Sequence, residues 1–304
     1  MKKLVLLVLA LAAPSAFLAV RPVLAQRATI ARLPEPQQLS YGSDPLQVMN
    51  FWRGQNANAP LILFVHGGGW ARGTKENATG EAKVRHFTQL GYAFASIDYR
   101  LVPQARVEDE ADDVARAVAW VIAHKAELGI DGRGIVVMGH SAGAHLAALV
   151  GTDPKYLKAH GVPMGMLAGV ILLDGAGYDV PMQIDAAGPL LRRMYEQAFG
   201  LEPGRQMALS PITHVAAPNA RAFLILHVER ADSERQSNML AAALRKAGTL
   251  AEVSKIEDSS HMRLNRGLGG EDDAATALVD SFAFRAFQGA GVVLPPRLKA
   301  IGTE

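Results

Sequence analysis

The sequence has no cysteine in 304 residues, which removes disulfide frameworks, thiolate metal sites and cysteine nucleophiles from consideration. It also lacks a basic run. Three of the 31 bases (Lys2, Lys3 and Arg21) and none of the 29 acids fall before Gln26, so the remainder is close to neutral. Nothing in that balance calls for nucleic acid or an anionic membrane as partner. The expected partner is a small molecule, uncharged or with its charge handled locally. Internal repeats and linkers are missing too, and the 49% hydrophobic and 20% charged content is that of an ordinary globular chain.

Long apolar runs are also missing. The stretch Leu4 to Ala13 is broken at Pro14-Ser15, well short of the roughly 20 residues a membrane helix needs. Met1-Lys2-Lys3 precedes it, and Val23-Leu24-Ala25 places small or apolar residues before a cut. This reads as a signal peptide over residues 1–25, cleaved after Ala25. The expectation is an exported protein, periplasmic or secreted, with a single domain over residues 26–304 and no stable membrane anchor after cleavage.

What is present is a rhythm of short apolar runs alternating with amphipathic helices. After an edge-strand candidate at Leu46 to Trp52, the runs are Leu61–Val65, Ala93–Ile97, Ile135–Met138, Val170–Leu173, Phe223–Leu226 and Glu252–Ile256. Most are apolar on both faces, as in a parallel sheet covered by helices on each side. Glu110 to Leu128, Ser237 to Ala247 and Asp272 to Phe287 have the helical period. The fold class is α/β, a mostly parallel doubly wound sheet with a loose tail from Gly289.

In such sheets the site lies at the carboxyl ends of the strands. The residues there include His66-Gly67-Gly68-Gly69-Trp70, Asp98-Tyr99-Arg100, Gly139-His140-Ser141-Ala142-Gly143, Asp174-Gly175, Glu229 to Asp232 and Asp258 to His261. Ser141 sits between glycines where a strand turns tightly into a helix, the setting that pushes a serine hydroxyl out over the sheet. Gly67 and Gly68 offer backbone N–H groups with no side chain in the way, and with the N–H of Ala142 they fit an oxyanion hole. His66 suits a structural role in pinning that loop.

Together HGGGW at His66, DYRLVP at Asp98 and GHSAG at Gly139 resemble the α/β-hydrolase fold esterases, in particular the HGGG-bearing carboxylesterases related to hormone-sensitive lipase and the kynurenine formamidase-like hydrolases. The resemblance runs from about Ala59 to Phe287 and implies a triad in the order serine, acid, histidine. His261 is then the base, since no other histidine lies beyond His227. Asp232 resembles the family's acid position. Val228-Glu229-Arg230 replaces the glycine expected after the strand's terminal histidine, so Glu229 and Asp174 remain alternatives.

His140 and His145 lack the spacing for a metal site, His124 suits a surface, and no cofactor or metal is expected. Asp98, Tyr99 and Arg100 are expected to brace loops. Glu108, Asp109, Glu110, Asp112 and Asp113 read as a solvated acidic helix start. The segment 175–219 departs from the strand–helix rhythm and is expected to form a small lid, with Trp70, Leu101, Tyr178 and Met262 as substrate-binding candidates. The expected chemistry is acyl transfer on small esters with short acyl groups. Aryl formamide hydrolysis by the same residues is the alternative; a secreted peptidase and a non-catalytic binding module fit less well.

Overall fold

The computed structural model describes residues 33–216, 218–270 and 273–294. The expected signal peptide, the residues up to 32 and most of the tail lie outside the described residues. Eight strands form one sheet in the order β1-β2-β4-β3-β5-β6-β7-β8. They are β1 Gln37–Ser40, β2 Val48–Trp52, β3 Ala59–Val65, β4 Ala93–Ile97, β5 Ile130–His140, β6 Leu167–Leu173, β7 Ala222–His227 and β8 Leu250–Lys255. Pairing is parallel from β4 through β8 and antiparallel at β1 and β2.

Because side chains alternate along a strand, each apolar strand feeds two cores. Leu61, Leu63 and Val65 face one core while Ile62 and Phe64 face the other, and β5, β6 and β7 repeat the pattern. The first core is closed by α2 (Val107–Ala123), α4 (Ala142–Thr152), α5 (Pro154–Ala159) and α9 (Ala231–Lys246). The second is closed by α1 (Glu81–Gln89), α10 (His261–Gly267) and α11 (Ala274–Gly289). Between β6 and β7 lie three further helices, α6 (Val180–Ala186), α7 (Pro189–Phe199) and α8 (Pro203–Ala208). Among the described residues no helix is long and apolar enough to cross a membrane.

Two expectations need correction. The helix expected over 110–128 starts at Val107 and breaks at His124, leaving the short α3 (Lys125–Leu128). The earlier start turns part of the acidic cluster inward, so Glu110 and Asp113 are fully buried. Asp113 is paired there with Arg100 at 2.7 Å and accepts from Gln47 at 2.7 Å. Glu110 accepts only from the Val102 N–H at 3.2 Å; burial pushes its carboxyl up to about 10, so it is protonated at neutral pH.

Candidate active site

Ser141 occupies the one-residue corner between β5 and α4 with φ 56° and ψ −119°, a conformation non-glycine residues rarely adopt. Hydrogen bonds fix the corner: the Ser141 N–H donates to Leu173 O at 3.0 Å, and the Ala144 N–H donates to Ser141 O at 3.0 Å. The flanking glycines are required by contact. A Cβ on Gly139 would lie 2.2 Å from Gly143 O, and one on Gly143 would lie 2.2 Å from Val65 O. The strain at Ser141 is therefore held by packing of backbone against backbone.

The glycine loop after β3 abuts this corner. A Cβ on Gly67 would fall 3.0 Å from the Ser141 Cβ, and one on Gly68, at φ 144°, would fall 1.8 Å from Arg72 O. His66 anchors the loop from below, stacked on Tyr99 at 4.4 Å between ring centroids, while the Tyr99 hydroxyl donates to His66 O at 2.7 Å. Burial lowers the affinity of His66 for a proton, which suits a structural ring. Asp98 accepts from the Lys75 N–H at 2.6 Å, and Arg100 pairs with Asp113, so this segment braces loops. Ala142, as the first residue of α4, has an N–H without an intrahelical acceptor.

His261 opens α10 and lines the same cleft as Ser141. Its Nδ1 lies 2.6 Å from Asp174 Oδ2. Asp174 directly follows β6, is buried, and also accepts from Ser233 Oγ at 2.5 Å, Arg230 Nη1 at 2.9 Å and the Val228 N–H at 3.2 Å. Burial alone would raise this carboxyl, but the His261 hydrogen bond, the Arg230 charge and the remaining donors outweigh it and hold the group at about 2.

Asp232, the residue expected to orient the base, has other partners. Its carboxylate takes Arg230 Nη2 at 3.0 Å and Gln183 Nε2 at 3.0 Å. The physical reason is that α9 begins at Ala231, six residues before the expected start. Asp232 thus sits in a helical first turn, a favoured place for a carboxylate, and is turned toward α6. Glu229, the other alternative, has a side chain that is 84% exposed, with Lys255 4.0 Å away.

Three further residues were not singled out for a role by the sequence pattern. Arg230 Nη1 is 3.0 Å from His261 Nδ1 as well as bonded to Asp174. His140 is buried and its Nε2 contacts the backbone carbonyl of His261 at 2.9 Å; burial, then the neighbouring His261, pushes it down to about 3. It is a neutral N–H donor that fixes where α10 begins. His145 Nε2 donates to Leu209 O at 2.8 Å and its Nδ1 accepts from Trp70 Nε1 at 3.3 Å, tying α4, the glycine loop and the residue after α8 together. Only the strand-end position of Asp174 was visible in advance; the other contacts are long-range.

The cleft has a volume of about 1150 Å³, and its lining includes Gly67, Gly68, Ser141, Ala142, Asp174 and His261. Of the substrate-binding candidates, Trp70 and Met262 line it, and Leu101 and Tyr178 do not. Tyr178 is fully buried against Gly175, and Leu101 packs on the core beside the cleft. Met194 and Tyr195 of α7 supply apolar wall instead. Among the described residues no group of three or more His, Asp or Glu is placed to hold a metal ion.

Comparison with known proteins agrees with this architecture. The BD-FAE family model matches residues 50–162, which include the glycine loop and Ser141 but neither Asp174 nor His261. Esterase LipC of Mycobacterium tuberculosis is 32% identical over 64% of this chain and 50% of its own length. The probable carboxylic ester hydrolase LipM of the same organism is 31% identical over 59% and 44%. The chain thus spans about half the length of these curated relatives. A thermophilic esterase from Thermogutta terrifontis superposes with TM-score 0.66 at 25% identity, covering 86% of this chain and 95% of that one. Esterase B of Lactobacillus rhamnosis superposes at 0.65 and 18% identity, over 84% and 88%. With the strand order, the strained serine corner and the glycine loop in place, these likenesses lead to one assignment: the chain has the α/β-hydrolase fold and is similar in sequence to esterases.

Proposed function

We propose that this protein hydrolyses carboxylic esters through an acyl-enzyme, with Ser141 as nucleophile, His261 as general base and Asp174, in place of the sequence-favoured Asp232, as the residue that orients the base. The observation that carries this reading is the 2.6 Å contact of His261 Nδ1 with the buried Asp174, in the cleft onto which Ser141 opens. The sequence likeness to esterases supports it.

Ser141 Oγ attacks the ester carbonyl while His261 Nε2 takes its proton. The Nδ1–H keeps donating to the Asp174 carboxylate, which stabilises the imidazolium and fixes the tautomer. Charge on the carbonyl oxygen is met by the N–H groups of Gly67, Gly68 and Ala142. Collapse expels the alcohol with the proton from His261, leaving acyl-Ser141; water then attacks, activated by the same imidazole, and frees the acid. Small esters with short acyl groups fit the reading best, and aryl formamides are the alternative, since the apolar wall of Trp70, Met194 and Tyr195 accommodates either. Export with cleavage after Ala25 belongs to the same proposal, and an N-terminus at Gln26 in the intact mass of exported protein is its check.

The test is hydrolysis of nitrophenyl acetate, butyrate and octanoate and of an aryl formamide by wild type and Ser141→Ala. Turnover of the short esters that vanishes in Ser141→Ala is expected. Equal rates in both proteins would overturn the reading.

A further inference from the structure

Charge on the cleft lining is one-sided. The titratable carboxylates there are Asp174 and Asp232, against Arg72, Arg230, Arg235 and Arg266, with no lysine or glutamate among the lining residues. Arg230 is committed to both carboxylates. The other three are exposed. Elsewhere arginines are usually engaged: Arg100, Arg106, Arg116, Arg133, Arg205 and Arg285 each pair with a carboxylate. Among the described residues, the arginines with neither hydrogen bond nor ion pair are Arg72, Arg193, Arg235 and Arg266, and three of these four line the cleft. Unpaired guanidinium groups gathered at the mouth of a reactive cleft are free to bind an anion bidentately.

Arg72 and Arg266 are the better placed. Arg235 stands one helical turn from Asp232, which offsets its charge. The Arg72 backbone abuts the oxyanion glycine Gly68. Arg266 lies five residues past His261 on α10, so each of the two arginines belongs to a segment that also carries a group of the proposed machinery, and both line the cleft. Their supports are joined: Asn265 Nδ2 donates to Ala78 O at 2.8 Å, and the buried Lys83 ammonium donates to the Asn265 side-chain oxygen at 2.8 Å and to its carbonyl. Asn77 also lines the cleft.

We propose that the substrate is an ester carrying a free carboxylate a few methylenes from the scissile carbonyl, bound by Arg72 and Arg266. The proposal rests on the ester-hydrolase reading and narrows it from small esters in general to anionic ones.

The experiment compares kcat/KM within two substrate pairs on the same enzyme. One pair puts the carboxylate on the acyl half, 4-nitrophenyl hydrogen glutarate against 4-nitrophenyl pentanoate. The other puts it on the alcohol half, the butyrate ester of 3-(4-hydroxyphenyl)propanoic acid against that of its methyl ester. In at least one pair the anionic member is expected to be favoured roughly tenfold, the size of two charge-assisted contacts at exposed positions. The preference should shrink as sodium chloride is raised, and fall to near parity in the double variant Arg72→Gln/Arg266→Gln while Arg235→Gln retains it. Because both rates are read on one preparation, loss of folded protein cancels in the ratio. Neutral members favoured in both pairs, or a preference untouched by the double variant, would overturn the proposal. Absence of Ser141-dependent turnover on all four would instead overturn the ester-hydrolase reading beneath it.

Discussion

At His261 a donor, Arg230 Nη1, and an acceptor, Asp174 Oδ2, crowd one nitrogen. If Nδ1 accepted from Arg230, its proton would reside on Nε2 and the ring could not take a proton from Ser141. The 2.6 Å approach to Asp174, with Arg230 Nη1 reaching the same carboxylate oxygen at 2.9 Å, favours the tautomer with hydrogen on Nδ1. Asp174→Asn should therefore lower kcat by about 10³–10⁴, the effect of the wrong tautomer. Asp232→Asn, which leaves the His261 contact whole, should lower it less than about tenfold. Nitrophenyl butyrate assays of the two variants decide between the acids. The same site has an acid signature. Asp174 is held near 2, below its ordinary 3.8, so on acidification the unfolded chain binds the proton first. Its stabilisation is whole above about pH 4 and disappears as pH falls toward 2, about 2 kcal/mol in all. Acid unfolding of Asp174→Asn, followed by circular dichroism, should lack that component.

At the scale of elements, the sequence was readable where backbone contacts dictate residue type. The corner at Ser141 needs glycine at 139 and 143 because a Cβ there meets main-chain oxygen at 2.2 Å, so the motif and the geometry are one constraint. Gly143→Ala should abolish soluble protein or lower Tm by more than 10 °C, on the order of 3 kcal/mol or more for a domain of this size. Gly161→Ala should cost only about 1 kcal/mol, because its φ of 71° is unfavourable but nothing lies within 4 Å. Apolar runs at the strands were equally plain. The contact of His261 with Asp174 was not, because the two lie 87 residues apart and α9 begins six residues before the start that its periodicity suggests. The acidic start of α2 misled for a related reason: composition suggests solvent, yet the helix turns Glu110 inward. Its carboxyl is raised to about 10. Stability linked to that proton is whole below about pH 4.5 and is lost progressively as pH rises toward 10. Glu110→Gln should flatten this loss and raise Tm at pH 8 relative to wild type, which a thermal melt at pH 5 and pH 8 would establish.

Across the whole molecule, the sheet divides two cores and the reactive cleft opens where elements from both converge. The serine corner leads into α4 on one face, and His261 begins α10 on the other. His140 bridges the two through the His261 carbonyl, and the His145–Trp70–Leu209 chain fastens the lid side to the glycine loop. Fold class and the strained corner at Ser141 were legible because each follows from local pattern. The partners of His261, Asp174 and Arg230, and the charge of the cleft mouth were not, since they arise only when distant strand ends are brought together. The central claim is that Ser141 becomes covalently acylated, and fluorophosphonate labelling followed by peptide mass mapping tests it most directly. One adduct per chain on Ser141, formed in step with loss of ester turnover and absent from Ser141→Ala, is the predicted result. Ester hydrolysis that continues while Ser141 is fully labelled, or an adduct that maps elsewhere, would contradict the account.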